Sequence, residues 1–490
     1  MFRIATMRFL MVLTFLLPGL TETVQANQLY QPAHIYNLFL PGPPTAIVAA
    51  DINGDNRLDL LVSFGGPGGM QALLGNGDGT FQIANNYVTS AWAFWIAIGD
   101  VNGDGKPDAL VATTAGVSVF LGNGNGTFQA AQNYEIPSFD GARSIAIGDV
   151  NRDGKLDLVV GFECIPGFPD CNHGSGATVL FGDGKGAFTP SGAFFFSGGD
   201  SVTLADLDHD GKLDLISDSQ QNRGNVVVNF GIGDGTFQNA RIFDSGGFDG
   251  GTITVADLDG DGNLDIVAAN NCVNNDCSKS NVGILLSGGG FRKAQTYGHP
   301  GGLIPQQVAV ADINADDIPD LVVANFCDDV DCFFGSVGIL QGVGGGKFVR
   351  SQHYSSGCLT GNFSSVAVGD ANRDGTPDIF VICDEGVSVL LSLAQTTTTL
   401  VSDENPSTQG QPVTFTATIV SSGLAMPTGR VVFRNGSTSI GSAVLNAGVA
   451  QLTKANLPTG TLSITAKYQG DALSQKSISS VLVQVVNPKP

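Results

Sequence analysis

The spacing D-x-[DN]-x-D-x-x-x-D occurs seven times along this chain, beginning at Asp51, Asp100, Asp149, Asp206, Asp257, Asp312 and Asp370. A sevenfold repeat at intervals of about fifty residues constrains the fold strongly, because each copy must be one unit that buries its apolar surface against its neighbours. Each copy follows a short apolar stretch, as at 144–148, and precedes another, as at 156–160. A third stretch follows, as at 177–181. The string G-x-G-x-G-x-F then marks a turn at 75–81, 122–128, 182–188, 231–237 and 342–348, with a shortened version at 288–291. A weaker fourth strand comes after that Phe. One unit therefore reads as four strands, A to D, with the acidic loop between A and B and the Gly-rich turn between C and D. Seven such units predict an all-β fold that begins with a seven-bladed β-propeller. The seventh unit has A (366–369), B (379–383) and C (387–391) but neither the Gly-rich turn nor a D strand. The strand-like residues 33–40 belong to no unit. They are predicted to complete the last blade and so hide the edges of an open array.

The acidic loops place hard oxygens around one point. Calcium takes six to eight oxygens at about 2.3–2.6 Å. The candidate ligands at loop positions 1, 3, 5 and 9 are Asp51, Asn53, Asp55 and Asp59 in the first loop, and Asp100, Asn102, Asp104 and Asp108 in the second. The third has Asp149, Asn151, Asp153 and Asp157; the fourth has Asp206, Asp208, Asp210 and Asp214. The fifth has Asp257, Asp259, Asp261 and Asp265; the sixth has Asp312, Asn314, Asp316 and Asp320; the seventh has Asp370, Asn372, Asp374 and Asp378. The carbonyl at position 7, that of Lys106 in the second loop, adds one more oxygen. Position 6 needs a sharp turn, and five loops have glycine there: Gly105, Gly154, Gly211, Gly262 and Gly375. The first loop has Asn56. The sixth has Asp317 with Ala315 and Ile318, which marks it as the weakest site. Asp and Asn also cap ordinary tight turns. Sevenfold recurrence of the full oxygen set favours up to seven structural Ca²⁺ instead. Magnesium demands stricter octahedral geometry, and zinc would want His or Cys.

The formal net charge of −22 argues against nucleic acid and anionic membrane as partners. The acid is nearly all aspartate, which favours turns over helices. At the N-terminus, Arg3 and Arg8 precede an apolar run at 9–20, and Val24-Gln25-Ala26 forms a small-x-small site. These features predict a secretory signal over 1–26 with cleavage near Ala26. No second apolar run of spanning length follows, so no direct membrane span is expected, and the mature chain is expected to be a monomer, secreted or held at the cell surface. Eight Cys in an exported chain predict four disulfides. Spacing suggests Cys164 with Cys171, Cys272 with Cys277, Cys327 with Cys332 and Cys358 with Cys383.

The combination of Asp100-Val-Asn-Gly-Asp-Gly-Lys-Pro-Asp108 with Gly122-Asn-Gly-Asn-Gly-Thr-Phe128 resembles the FG-GAP/VCBS repeats of integrin α-subunit propellers and many secreted bacterial proteins. The resemblance covers roughly 28–393. It implies calcium in the A–B loops and ligands bound on the opposite face, without naming a partner. The tail is different: it is poor in Asp, free of Cys, and strand-like at 413–419, 429–433 and 462–468. With Pro427-Thr-Gly429 and Tyr468-Gln-Gly-Asp471 it is similar to bacterial Ig-like repeat domains, a β-sandwich used as a spacer or attachment module. The expected domains are the signal (1–26), the propeller (27–395) and the Ig-like sandwich (396–490).

Signatures of catalysis are sparse. Neither G-x-S-x-G nor H-E-x-x-H occurs, and His34, His173, His209, His299 and His353 are scattered over different units. The Gly-rich strings join strands and have no helix behind them, so they are turns and not phosphate cradles. The expected function is therefore a non-catalytic, calcium-binding adhesion or protein-interaction module with an extracellular protein or glycan ligand. The alternative is a calcium-dependent, lectin-like carbohydrate binder, which repeated equivalent pockets between blades would favour; one irregular site would favour a protein. An extracellular hydrolase or lyase is the lesser reading, and polar side chains concentrated in the central depression would mark it. Binding candidates on the face away from the acidic loops are Trp92, Phe94, Trp95, Phe139, Asp140, Phe168, Phe333 and Phe334.

Overall fold

The computed structural model describes residues 29–38, 41–66, 68–89, 91–136, 141–163, 175–195, 198–219, 225–247, 249–273, 279–291, 293–298, 302–327, 334–359, 365–384 and 386–489. The predicted signal lies outside them. So do Phe139, Asp140, Phe168, Phe333, Cys164, Cys171, Cys277 and Cys332, and the side chains of Phe334 and Cys358. Cys272, Cys327 and Cys383 are buried at the ends of B strands, and none is a free thiol. Each of the four suggested pairings includes at least one cysteine whose side chain lies outside the described set. Among the described residues no helix is long and apolar enough to cross a membrane.

Residues before the Ig-like tail form seven four-stranded antiparallel sheets, each a repeat unit. Blade two is typical: A is Ala93–Gly99, B is Asp108–Thr113, C is Gly116–Phe120 and D is Gln132–Glu135. Its B and C strands are buried throughout, as expected for strands covered on both faces by neighbouring blades. The A strands lie innermost. Each packs beside the next, and the strand of blade one (Pro44–Ala50) packs beside that of blade seven (Val366–Gly369), so the seven sheets close into a ring.

Two sets of contacts seal the blades together. Near the axis, strand A backbone N–H groups donate to side chains of the preceding blade. Val202 N reaches Ser144 Oγ at 3.1 Å, Ile253 N reaches Ser201 Oγ at 3.1 Å, and Val366 N reaches Gln307 Oε1 at 3.0 Å. Ile47 N reaches Ser365 Oγ at 3.3 Å and so ties blade one to blade seven. Towards the rim, a D-strand aromatic meets the turn aromatic of the next blade edge to face. These pairs are Tyr36–Phe81, Tyr87–Phe128, Tyr134–Phe188, Phe195–Phe237, Phe243–Phe291, Tyr297–Phe348 and Tyr354–Tyr30, with ring centroids 5.1–5.8 Å apart.

The last pair shows how the ring closes. The N-terminal strand His34–Asn37 lies antiparallel to Gly386–Leu390 and is the D strand of blade seven. Upstream, Tyr30 bridges Ser392 just as Phe128 bridges Gly122 within blade two. Tyr30 thus occupies the place of the missing turn Phe. It is fully buried, and its hydroxyl donates to Pro377 O at 3.1 Å. Gln31 N to Leu391 O (2.8 Å) and Leu393 N to Leu29 O (2.7 Å) fasten the two chain segments together.

The tail is a two-sheet sandwich. Thr396–Ser402, Val413–Ser421 and Val449–Lys454 form one sheet; Gly460–Tyr468, Arg430–Asn435, Thr438–Val444 and Leu482–Asn487 build the other. Alternate residues of Val413–Ser421 point inward. Phe415, Phe433 and Tyr468 fill the core, where no Cys is present. The junction is hydrogen-bonded: Ala394 pairs with Ser474, and Gln395 Nε2 donates to Asn314 O at 2.7 Å in the sixth acidic loop.

Closure by Tyr30 makes a direct prediction. Tyr30→Ala removes a fully buried ring and should cost about 3–5 kcal/mol. A denaturant melt should show the loss in the propeller transition. An unchanged midpoint would show that the N-terminal segment does not close the ring.

Candidate functional site

Position 1 of each acidic loop builds the loop by gathering backbone N–H groups. In the first loop Asp51 Oδ1 accepts from Asn53, Gly54 and Asp55, and Oδ2 accepts from Asn56. The bond from position 6 recurs in all seven loops: Gly105 to Asp100, Gly154 to Asp149, Gly211 to Asp206, Gly262 to Asp257, Asp317 to Asp312 and Gly375 to Asp370. The wrap requires a left-handed backbone at position 6, with φ near +80° at the glycines, +60° at Asn56 and +62° at Asp317. Position 4 is left-handed too. Arg152, His209, Ala315 and Arg373 take that conformation without glycine. This second strained position had no clear sequence signal, because only three of the seven loops carry glycine there.

Position 9 is more than a ligand candidate. Asp59, Asp108, Asp157, Asp214, Asp265, Asp320 and Asp378 are each at most 1% exposed. Each opens strand B and takes two backbone N–H groups, one on each oxygen. Asp108 Oδ2 accepts from Val101 at 2.9 Å and Oδ1 from Gly122 at 2.7 Å. The same pair of bonds recurs at Asp59, Asp157, Asp214, Asp265, Asp320 and Asp378. This carboxylate therefore fastens the acidic loop to the C–D turn. Burial pushes all seven carboxyls upward, to about 6 at Asp59 and Asp320 and about 7 at Asp378, and the two N–H donors offset this only in part.

The oxygens at positions 1, 3, 5 and 9 converge to different degrees. One oxygen each from Asp206, Asp208 and Asp210 lie within 4.8 Å of one another, as do those of Asp257, Asp259 and Asp265. Two oxygens on one Ca²⁺ are at most about 5 Å apart, so both sets fit its coordination sphere. Asp104, Asp153 and Asp210 at position 5 meet the lysine at position 7, with Nζ 3.0, 3.1 and 2.6 Å away. That hydrogen bond lowers the carboxyl pKa in all three. The sixth loop keeps the shared fold despite Ala315 and Asp317. Its Asn314 side-chain amide is buried, and neither Nδ2 nor Oδ1 has a hydrogen-bond partner among the described residues. In the seventh loop Asp374 is turned inward onto Thr376 Oγ1 and Ser392 Oγ, beneath Gly423 of the Ig-like domain. His209 is exposed and contacts Asn263 Oδ1 at 2.8 Å.

The opposite mouth of the ring is not repetitive. A depression of about 350 Å³ is lined by residues of all seven blades, among them Thr45, Trp95, Arg143, Asp200, Asn271, Gln306 and Ser365. Arg143 lies over the Phe94 ring at 4.0 Å and pairs with Glu163 at 2.5 Å. Phe94 and Trp95 thus fall where the sequence placed binding candidates. Trp92 does not line the depression; it is 45% exposed beside Gly65. Arg143, Glu163, Asp200, Asn271, Gln306 and Gln307 were missed. For Arg143, Asp200, Gln306 and Gln307 the signal was positional, since residues five and six before the first Asp of a loop line the depression and there the repeats disagree; Glu163 and Asn271 instead come at the end of strand B, fourteen residues after the first Asp of their loops.

A family model of FG-GAP-like repeats matches 51–111, 100–160 and 171–217, and one of bacterial Ig-like domains (group 3) matches 400–487. This chain is an FG-GAP repeat protein with a C-terminal bacterial Ig-like domain. No curated protein sequence matches it. Among solved structures it is similar to an Agrocybe aegerita lectin that recognises non-reducing terminal N-acetylglucosamine, at 16% identity and TM-score 0.41, over 84% of this chain and 99% of that one. The extracellular domain of a one-component system of B. thetaiotaomicron matches at 10% identity and TM-score 0.42, over 93% of this chain and 58% of that one. The V. cholerae biofilm matrix protein Bap1 matches at 12% identity and TM-score 0.34, over 94% and 71%.

Two predictions follow from position 9. Asp108→Ala strands two buried N–H groups and should cost on the order of 3 kcal/mol by denaturant melt, whereas loss of an exposed ion pair such as Lys106–Asp104 should cost well under 1. The second concerns pH in chelator. The position 9 carboxyls titrate higher folded than unfolded, so the folded chain holds more protons between about pH 4 and 7. Their contribution to stability is present below the unfolded value and is lost as pH rises through the folded values. The melting temperature of the metal-free chain should therefore rise from pH 8 to pH 5.5. A fall over that interval would contradict these shifts.

Proposed function

We propose that this chain is an extracellular, calcium-stabilised β-propeller that serves as a non-catalytic binding module and meets its ligand with the face away from the acidic loops. The observation that carries the reading is the contrast between the two faces. One repeats the same oxygen-rich loop in every blade; the other gathers unlike side chains from all seven blades into one depression. Repetition suits a structural role, and a single asymmetric site suits recognition of one ligand. A lectin with one site per blade would instead present equivalent pockets.

Calcium fits the donor set, which is all carboxylate, amide and carbonyl oxygen. Asp206, Asp208 and Asp210, with the carbonyl at Lys212, would hold the ion in the fourth loop, and equivalent residues would hold it in the others. Its charge would offset the repulsion among carboxylates that burial has brought together. An extracellular setting agrees with the FG-GAP repeats and the Ig-like domain.

The test is a thermal melt of chelator-stripped protein across a calcium titration. A ligand at a hundredfold over its Kd adds about 2.7 kcal/mol per site, so saturation should raise the melting temperature by at least about 5 °C. Magnesium at the same concentration should do less. A melt insensitive to calcium would overturn the structural-ion reading.

A further inference from the structure

We infer that the central depression is a saccharide site, taking one neutral sugar unit against Trp95 with its hydroxyls on Gln306, Gln307 and Asn271. The inference rests on the reading of this face as the ligand face and adds the class of ligand; a single irregular site was expected to favour a protein, and the charge and hydrogen-bonding capacity of the lining point to a sugar instead. Its argument starts from charge. The lining carries two carboxylates, Glu163 and Asp200, against one guanidinium, and Arg143 is already engaged with Glu163 and Phe94. An anion therefore finds no open positive group here, on a chain of net charge −22. A cation would meet Arg143 at the Phe94 face where it would stack. A wholly apolar ligand would strip water from amides and carboxylates without replacing the hydrogen bonds.

What remains is a neutral ligand with many hydroxyls and an apolar flank. Gln307 Oε1 accepts from Ser365 Oγ at 2.7 Å and from Val366 N at 3.0 Å, so its amide plane is fixed. Its Nε2 makes no hydrogen bond within the protein among the described residues. Gln306 Nε2 makes two long contacts, to Asn271 Oδ1 at 3.4 Å and Ile304 O at 3.5 Å, and its Oε1 accepts none among the described residues. A held donor beside an available acceptor suits adjacent sugar hydroxyls, each of which both donates and accepts. Trp95 supplies the flank. It stands where the other repeats have Ala46, Ser144, Ser201, Thr252, Gln307 and Ser365, and it lines both the depression and the channel beneath. A volume of about 350 Å³ lies at the small end of ligand sites and suits one or two sugar rings.

The chain has only two tryptophans. Trp92→Phe leaves Trp95 as the sole indole, and Trp92→Tyr serves if the first variant folds poorly. The calcium-loaded full chain is titrated with glucose, galactose, mannose, N-acetylglucosamine and their common disaccharides, reading Trp95 emission. Calorimetry on the unsubstituted chain runs in parallel. The expected result is a saturable emission change with at least one sugar, weakened about tenfold by Asn271→Ala and by Gln306→Ala with the calcium-dependent melt intact. No heat and no emission change up to about 50 mM sugar would overturn the saccharide site. So would binding that both alanine variants leave untouched, or capture of a protein ligand without any sugar response. An intact calcium-dependent melt in those cases leaves the calcium-stabilised propeller standing, and capture of a protein ligand leaves the binding-module reading standing. Sugar binding without a calcium response would sink only the structural ion.

Discussion

A buried carboxylate that receives one backbone N–H on each oxygen is the joint on which this propeller depends. It occurs once per blade, at Asp59, Asp108, Asp157, Asp214, Asp265, Asp320 and Asp378. Burying a carboxylate is costly unless its lone pairs are satisfied, and an unpaired buried N–H is costly too. Placing the aspartate at the start of strand B answers both needs: one oxygen closes the loop from strand A, and the other holds the turn leaving strand C. All four strands of a blade then meet at one charged atom group. The compensation is incomplete, since burial still pushes these carboxyls upward. Two or three more carboxylates per loop press against the same point, and this remaining strain is electrostatic. Loops preformed in this way would need no reorganisation to take the calcium proposed for them.

Ring closure decides which face is left open. The seventh blade borrows strand His34–Asn37 and Tyr30 from the N-terminus, so the chain is cut at the C–D turn of that blade. C–D turns lie on the acidic face. The segment leading to the Ig-like domain therefore departs from that face, and the domain settles beside the sixth and seventh loops through Gln395 and Gly423. The opposite mouth stays clear of it. An exit after strand B or strand D would have left from the other side, where the depression lies.

How much of this was legible in the sequence follows from what repeats. The period, the strands and the loop oxygens recur at fixed offsets, so blade number and the acidic face could be read directly. The missing D strand could be read because its absence broke the pattern at 392. The Tyr30 substitution could not, since it swaps one aromatic for another across more than 300 residues. The role of position 9 was hidden for a different reason. An aspartate that ligates an ion and one that accepts two N–H groups are the same letter, and only burial and the partner at Gly122 or its equivalents separate them. The left-handed backbone at position 4 was hidden because Arg152, His209, Ala315 and Arg373 do not announce it.

The residues missed in the depression are those at which the repeat fails. Five residues before the loops, Ser144, Ser201 and Ser365 and the longer Gln307 accept the seam hydrogen bond from the next blade; Thr252 instead donates to Gln306 O, and Ala46 and Trp95 have no side-chain oxygen. Loss of one seam bond costs about 1 kcal/mol, which a ring closed by seven aromatic joints can bear. The position is therefore free to vary where the axis needs a different surface, and Trp95 uses that freedom. In a closed repeat, positions that agree hold the ring together. Those that face the axis and disagree are where one ligand can be told from another, and a search for the site should start from disagreement between blades and not from the shared motif.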